Sequence, residues 1–372
     1  LIPENPPTPE RAGAEAQLGR LLMLTGIEGE RATAITRKAL RTAEAAGDPF
    51  TETAALVTLG VLELDPAEGE VVLRKGLEMA TAQNAVFQIT RARTNLSEML
   101  AGQGRHEEAV ELMREGLELV RRFGAQGQSE SWMVANLADR YHDAGRWPEA
   151  LEVLEFTVAP GYPEAVKIGL QARIFANQGR FEEARELFRR EDEEYGHITD
   201  IQVQSPLAAG RIWLARWTGD TSMLSSEMFA LRDEARMSAS AEGDATEYLL
   251  AASEAAAWGQ QNGQPLVGTD EFDRWMATAD RLAVEYLGDA MRAMLVAQRA
   301  RFDGVDDPRL WVEAVRAWPS DTFEQAVAVL GWVRSSLEID SEIRAAAQAA
   351  LATADRLGAE PLRAELEGLL DG

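Results

Sequence analysis

The sequence contains no cysteine. Disulfides, a thiolate nucleophile and cysteine-based zinc sites are therefore excluded. Histidine is nearly as scarce, with His106, His142 and His197 only, and none has the His-Glu-x-x-His spacing of a helical zinc site. Lysine is confined to Lys38, Lys75 and Lys167. The basic charge is thus almost all arginine, which together with abundant Ala and Gly reads as GC-rich codon usage and not as function. No apolar run approaches the roughly 18 residues of a membrane span, and no signal peptide is visible, so a cytoplasmic location is expected. Neither a Gly-x-x-x-x-Gly-Lys-Ser/Thr loop nor a Gly-x-Ser-x-Gly elbow occurs. Nothing alternates with period two over a useful length, which argues against strands.

What is present is a foldable chain of 372 residues, 46% hydrophobic and 27% charged. Its net charge of −25 repels phosphate backbones and anionic lipid surfaces, so neither direct nucleic-acid contact nor membrane binding is expected.

One phrase recurs three times: Gln103-Gly104-Arg105-His106-Glu107-Glu108-Ala109, Ala144-Gly145-Arg146-Trp147-Pro148-Glu149-Ala150 and Gln178-Gly179-Arg180-Phe181-Glu182-Glu183-Ala184. Its glycines lie 41 and then 34 residues apart, the period of a helical repeat array. A helix ends at each Gly, which tolerates the left-handed conformation. The acidic residues open the next helix, where the dipole favours them. The Ala follows where two helices approach closely. The phrase is the inter-helix turn of a tetratricopeptide-like hairpin. The acidic pairs that recur with the repeat are accordingly helix starts, not catalytic dyads. The predicted fold is all-α, a right-handed superhelical solenoid of roughly eighteen helices. Residues 1–8 are expected to form an extended Pro-rich linker, 9–258 tetratricopeptide-like repeats, 259–270 a hinge loop and 271–372 C-terminal helical repeats. Expected details include helices over Trp147–Val158, Leu207–Trp217, Thr221–Met237 and Glu271–Leu287, and a small polar loop over Ser238–Asp244. The opening Leu1-Ile2-Pro3, without an initiator Met, suggests an internal segment of a longer protein.

Laid on the repeat pattern, Leu96/Ser97, Leu137/Ala138 and Gln171/Ala172 are large–small packing pairs. Leu100, Tyr141 and Phe175 take the bulky position, and Ala109, Ala150 and Ala184 the small one. Such arrays place the first helix of each hairpin on a concave wall. This register sends Arg91, Thr94, Glu98, Trp132, Asp139, His142, Asp143, Arg173, Asn177, Trp213 and Trp217 toward a groove. Of these, Arg91, Glu98, Trp132, Asp139, His142, Arg173, Asn177, Trp213 and Trp217 are the candidate binding residues. A groove mixing Trp, Arg, Asp and Asn suits a peptide or a polar small molecule. No catalytic residue, metal ligand or cofactor site is expected in this segment.

The terminal stretch Ala345-Ala346-Ala347-Gln348-Ala349-Ala350-Leu351-Ala352-Thr353-Ala354-Asp355-Arg356-Leu357-Gly358-Ala359-Glu360-Pro361-Leu362-Arg363-Ala364-Glu365-Leu366 resembles the final helical repeat of large ATP-binding LuxR-type transcription regulators, the maltose-regulator-like family. That resemblance implies a middle sensor region with effector-binding and autoinhibitory roles. ATP would bind only in an upstream domain, and a C-terminal helix-turn-helix would contact DNA. Neither the nucleotide loop nor the helix-turn-helix is in this sequence. The expected partner is a small-molecule or peptide effector, or a partner protein, with homo-oligomerisation left open. The alternative function is a stand-alone tetratricopeptide scaffold for proteins or peptides.

Overall fold

The computed structural model describes residues 6–25, 28–63, 65–124, 127–156, 158–198, 200–227, 242–282 and 288–371. Among them are nineteen α-helices and no strand. The protein is an all-α tetratricopeptide-like array of helical hairpins. In chain order the helices are α1 (Pro9–Thr25), α2 (Gly29–Ala46), α3 (Pro49–Leu62), α4 (Pro66–Ala82), α5 (Val86–Gly102), α6 (His106–Arg122), α7 (Gln128–Asp143), α8 (Trp147–Leu154), α9 (Tyr162–Asn177) and α10 (Phe181–Tyr195). They continue as α11 (Ile201–Thr218), α12 (Thr221–Glu227), α13 (Glu242–Gln261), α14 (Thr269–Leu282), α15 (Gly288–Phe302), α16 (Pro308–Ala317), α17 (Phe323–Ser335), α18 (Ser341–Leu357) and α19 (Glu360–Asp371).

The three repeated phrases fold alike. Gly104, Gly145 and Gly179 have φ of 75°, 64° and 78°. The amide after each glycine donates back across the helix end: Arg105 to the Leu100 carbonyl, Arg146 to Tyr141 and Arg180 to Phe175, at 2.9, 2.8 and 2.9 Å. This is the six-residue bond that closes a helix through a left-handed glycine. The arginine explains its own recurrence. Arg105, Arg146 and Arg180 each sit at the N-cap position and bond the glutamate three residues on, Glu108, Glu149 and Glu183. Arg146 and Arg180 also lie over the rings of Tyr141 and Phe175. The small positions Ala109, Ala150 and Ala184 are fully buried, as are Leu96, Leu100 and Ala138.

Several boundaries differ from the sequence reading. Trp147 opens α8 as expected, but the helix stops at Leu154. α11 starts at Ile201 and carries Pro206 inside its first turns. Residues 242–244, expected in a loop, begin α13, and 259–261 continue that helix. Of the predicted Thr221–Met237 and Glu271–Leu287 helices, the parts at 228–237 and 283–287 lie outside the described residues, as do 1–5 of the linker and 238–241 of the loop.

The chain divides into two compact units, the boundary falling within α7 after Arg140. In the first, helices α1 to α6 stack as successive hairpins. Val57, Leu73, Ala92, Leu96, Met99, Leu100 and Ala109 form the spine of that stack.

The second unit closes on itself. Arg356 near the end of α18 donates to the Gly145 carbonyl in the turn before α8, and Gln178 donates to the Leu357 carbonyl at 2.9 Å. Gly145 also lies against the Asp321 carbonyl, so close that a Cβ there would sit 2.9 Å from it. Phe323 at the start of α17 packs on both Trp147 of α8 and Trp213 of α11. The final helices thus return to the turns with which the unit begins.

Candidate functional site

The interior of the second unit holds a cleft built from helical i,i+4 and i,i+3 pairs, the spacing that puts two side chains on one face. α9 supplies Arg173 and Asn177, and α11 supplies Ala209 and Trp213. α13 supplies Glu247 and Leu250, and α15 Met294 and Gln298. α17 supplies Phe323, Glu324 and Val327, and His142 enters from the last turn of α7. The empty volume is about 480 Å³, its open mouth included.

Arg173 is 3% exposed and organises one wall. Its guanidinium pairs with the Glu247 carboxylate and reaches His142 Nδ1 at 3.1 Å. A guanidinium has only protons to give, so Nδ1 must be the acceptor. That geometry assigns His142 as the neutral tautomer protonated on Nε2. The imidazole is held flat against Trp147, centroids 5.5 Å apart at 9°. Asn177 is oriented by the Trp217 Nε1–H, which donates to its Oδ1 at 3.0 Å. An indole can only donate, so the amide's oxygen end is fixed.

An aromatic row lines the other side. Trp213 stacks on Trp217 at 5.2 Å and meets Phe323 edge-on at 5.4 Å, and Phe323 in turn meets Trp147 at 5.3 Å. Beside Phe323, the half-buried Glu324 carboxyl is pushed up to about 7. Burial is the main cause. Its own helix-start amide pulls the other way, Asp143 adds repulsion and Arg173 offsets part of it.

Gln298 links the cleft to a buried charge cluster. Its Nε2 donates to Glu254 at 2.7 Å. Glu254, 3% exposed, also meets Arg301 at 2.7 Å and Arg216 at 3.2 Å. Arg216 and Arg334 both continue to Glu365 on α19. Burial would raise the Glu254 carboxyl, but Arg301, Arg216 and Arg334 overcome it and hold it down to about 2. Arg216 lies over the rings of Trp217 and Trp258, 5.0 Å from each centroid.

His142, Asp143 and Glu247 bring ligand-type atoms within 4.8 Å of one another. The Arg173 charge paired with Glu247 opposes a metal ion there.

Four of the nine sequence-predicted residues, His142, Arg173, Asn177 and Trp213, line this cleft, and Trp217 backs it. The other four belong to the first unit and do not line it. Arg91 bonds Thr58 and Gln88, and burial lowers it to about 10. Glu98 faces Arg140 at 3.5 Å, Asp139 pairs with Arg140, and Trp132 is half-buried. Glu247, Gln298, Phe323 and Glu324 were not anticipated. Their helices follow the last copy of the turn phrase, so nothing set a register for them. The acid at a helix start after Pro319-Ser320-Asp321-Thr322 was the one available signal for Glu324.

Two family models, each described as tetratricopeptide repeat, match residues 88–156 and 169–190. This region is tetratricopeptide-like. The matches bracket α7 and α9, two of the helices that enter the cleft, and cover about a quarter of the chain. Neither model describes an enzyme. Curated proteins give no match. Among solved structures, the chain is similar to the TPR domain of P58(IPK) at 15% identity, over 97% of this chain and 98% of that one, with a TM-score of 0.22. Among the described residues, no helix is long and apolar enough to cross a membrane.

Proposed function

We propose that the chain is a non-catalytic recognition module whose effector seats in the cleft of the second unit. The observation that carries this reading is the convergence of Arg173, Asn177, His142, Glu324 and Trp213 from four helices on one cavity. An aromatic face with a few fixed polar groups is the usual composition of a small-ligand site. The paired and oriented state of Arg173 and Asn177 pre-organises it, which reduces the ordering cost of binding. The resemblance of residues 345–366 to LuxR-type regulators supports placing this module as the sensor region of a transcriptional regulator. There, the effector would shift a closed–open equilibrium through differential affinity for the two states.

The tetratricopeptide matches over 88–156 favour a second reading, a protein- or peptide-binding scaffold. Calorimetry of the 372-residue chain against metabolites and peptides separates the two. A ligand whose binding is lost in Trp213→Ala supports the cleft. A partner that binds equally well to Trp213→Ala and is lost on substitution in α5 or α6 supports the scaffold. The regulator context is tested by the parent gene, which should encode a nucleotide-binding loop upstream and a helix-turn-helix downstream.

A further inference from the structure

One carboxyl of the cleft has no ion partner among the described residues. Arg173 is the one charged cation lining the cleft among the described residues, and Glu247 already meets it. His142 accepts from Arg173 and is neutral. Glu324 forms no ion pair among the described residues, and the positive charge acting on it is that same Arg173. Asp143, next to His142, adds repulsion that acts on Glu324. Glu324 is therefore a half-buried carboxyl left without an ion partner among the described residues. The cleft that holds it is lined by aromatic rings. It is walled by Trp213 and Phe323, whose ring faces and edges are packed by Trp217 and Trp147.

We infer that the effector is an organic cation, an ammonium or guanidinium group on a small ligand, with its charge held against Glu324 and the Trp213 and Phe323 rings. This inference rests on the cleft being the effector site. A ring face and a carboxylate in one partly desolvated cavity both attract a cation, and a cation–π contact strengthens as water is removed. An anion would compete with Glu247 for Arg173 and face Glu324 and Asp143. A neutral polyol could use the same hydrogen-bonding groups, but would leave the Glu324 charge unmatched in a cavity where unmatched charge is costly. A metal ion prefers oxygen or imidazole ligands to ring faces, and the ligand cluster beside this cleft carries the Arg173 charge.

The test is calorimetry of the full 372-residue chain with putrescine, agmatine and the N-acetylated, C-amidated tripeptide Gly-Arg-Gly, using glutarate and glucose as anionic and neutral controls. Putrescine or agmatine should bind, and Glu324→Gln should weaken that binding at least tenfold while circular dichroism and melting stay cooperative. Trp213→Phe should retain most of the affinity that Trp213→Ala loses. Affinity should rise between pH 6 and 8 as Glu324 ionises. The other charged or titratable groups facing the site are Asp143 and His142 of α7, Arg173 of α9 and Glu247 of α13. Binding of the blocked Gly-Arg-Gly alone would identify a peptide side chain as the source of the cation. Amine binding undiminished in Glu324→Gln, or no binding by any of the three cations, overturns the inference. Should glutarate or glucose bind instead and depend on Trp213, the cleft stands as effector site and only the cation assignment fails.

Discussion

The two units differ in what their buried arginines hold together. In the first, most arginine pairs lie at helix surfaces, as in Arg114 with Glu111 or the chain Arg74–Glu70–Arg105–Glu108, and the buried Arg11 and Arg140 meet neighbouring Glu15, Asp139 and Glu98. The exposed pairs contribute only about 0–1 kcal/mol each, so that unit depends on its leucine and alanine spine. In the second, Arg173, Arg216 and Arg301 are each no more than 3% exposed. They organise a cavity and the cluster behind it. The same residue type decorates a stack of hairpins in one region and fixes the interior of a closed unit in the other. A buried charge is tolerated only when paired and hydrogen-bonded, so the second unit gains a specific interior and becomes vulnerable at single positions.

The sharpest way to break this contrast is Glu254→Gln, which leaves Arg301 with no ion-paired carboxylate among the described residues and Arg216 and Arg334 with Glu365 alone. A loss of about 3–5 kcal/mol is expected for an uncompensated buried charge, measured by urea unfolding. The sign with pH follows from a depressed carboxyl. Its stabilisation is present above about 4.5 and disappears as pH falls toward about 2. The wild type should therefore lose stability across that window, and the variant should lose less.

In the first unit the large effect is apolar. Leu100→Ala removes a fully buried side chain of the spine and should cost about 2–5 kcal/mol. It should leave ligand binding in the cleft unchanged.

Glu324→Gln should act in the reverse direction to Glu254→Gln. A carboxyl raised to about 7 binds its proton more tightly in the folded state, so it lowers stability as pH rises from about 4.5 to 7. Removing the charge should raise the melting temperature at pH 8, by an amount corresponding to up to about 3 kcal/mol, and change it little at pH 4. Equal melting shifts at both pH values would contradict the buried-charge account. The smallest effect is expected for Arg114→Ala, whose exposed pair should yield under about 0.5 kcal/mol by the same measurement.

The sequence makes the first unit and the opening of the second legible because a turn with a left-handed glycine, a capping arginine and a buried alanine leaves a fixed phrase. That phrase located α5 through α10 and set the register that brought His142, Arg173 and Asn177 to one cavity. The same register, carried on into the weaker return that ends at Gly219, pointed to Trp213 and Trp217. Beyond α11 left-handed glycines still close helices, at Gly263, Gly304 and Gly358, but no arginine follows them, and Asp307 and Thr322 cap α16 and α17 through their side chains. Without a common phrase, nothing in the sequence says which face of α13, α15 or α17 turns inward, and Glu247, Gln298 and Glu324 stayed hidden. The expectation for Arg91, Glu98, Trp132 and Asp139 rested on one concave wall running through every hairpin. Return contacts 179 and 211 positions apart in sequence are invisible to a periodicity argument, which sees only neighbours.

The bond from Arg356 to the Gly145 carbonyl has a consequence for how the molecule comes apart. In a linear stack each hairpin touches only the next, so an end can peel away and the rest survive. A ring of helices has no end to peel. Releasing α18 and α19 breaks the bonds to Gly145 and Gln178 and takes Glu365 from the charge cluster, so this half of the protein should melt in one step while the hairpins of the other half can fray one at a time.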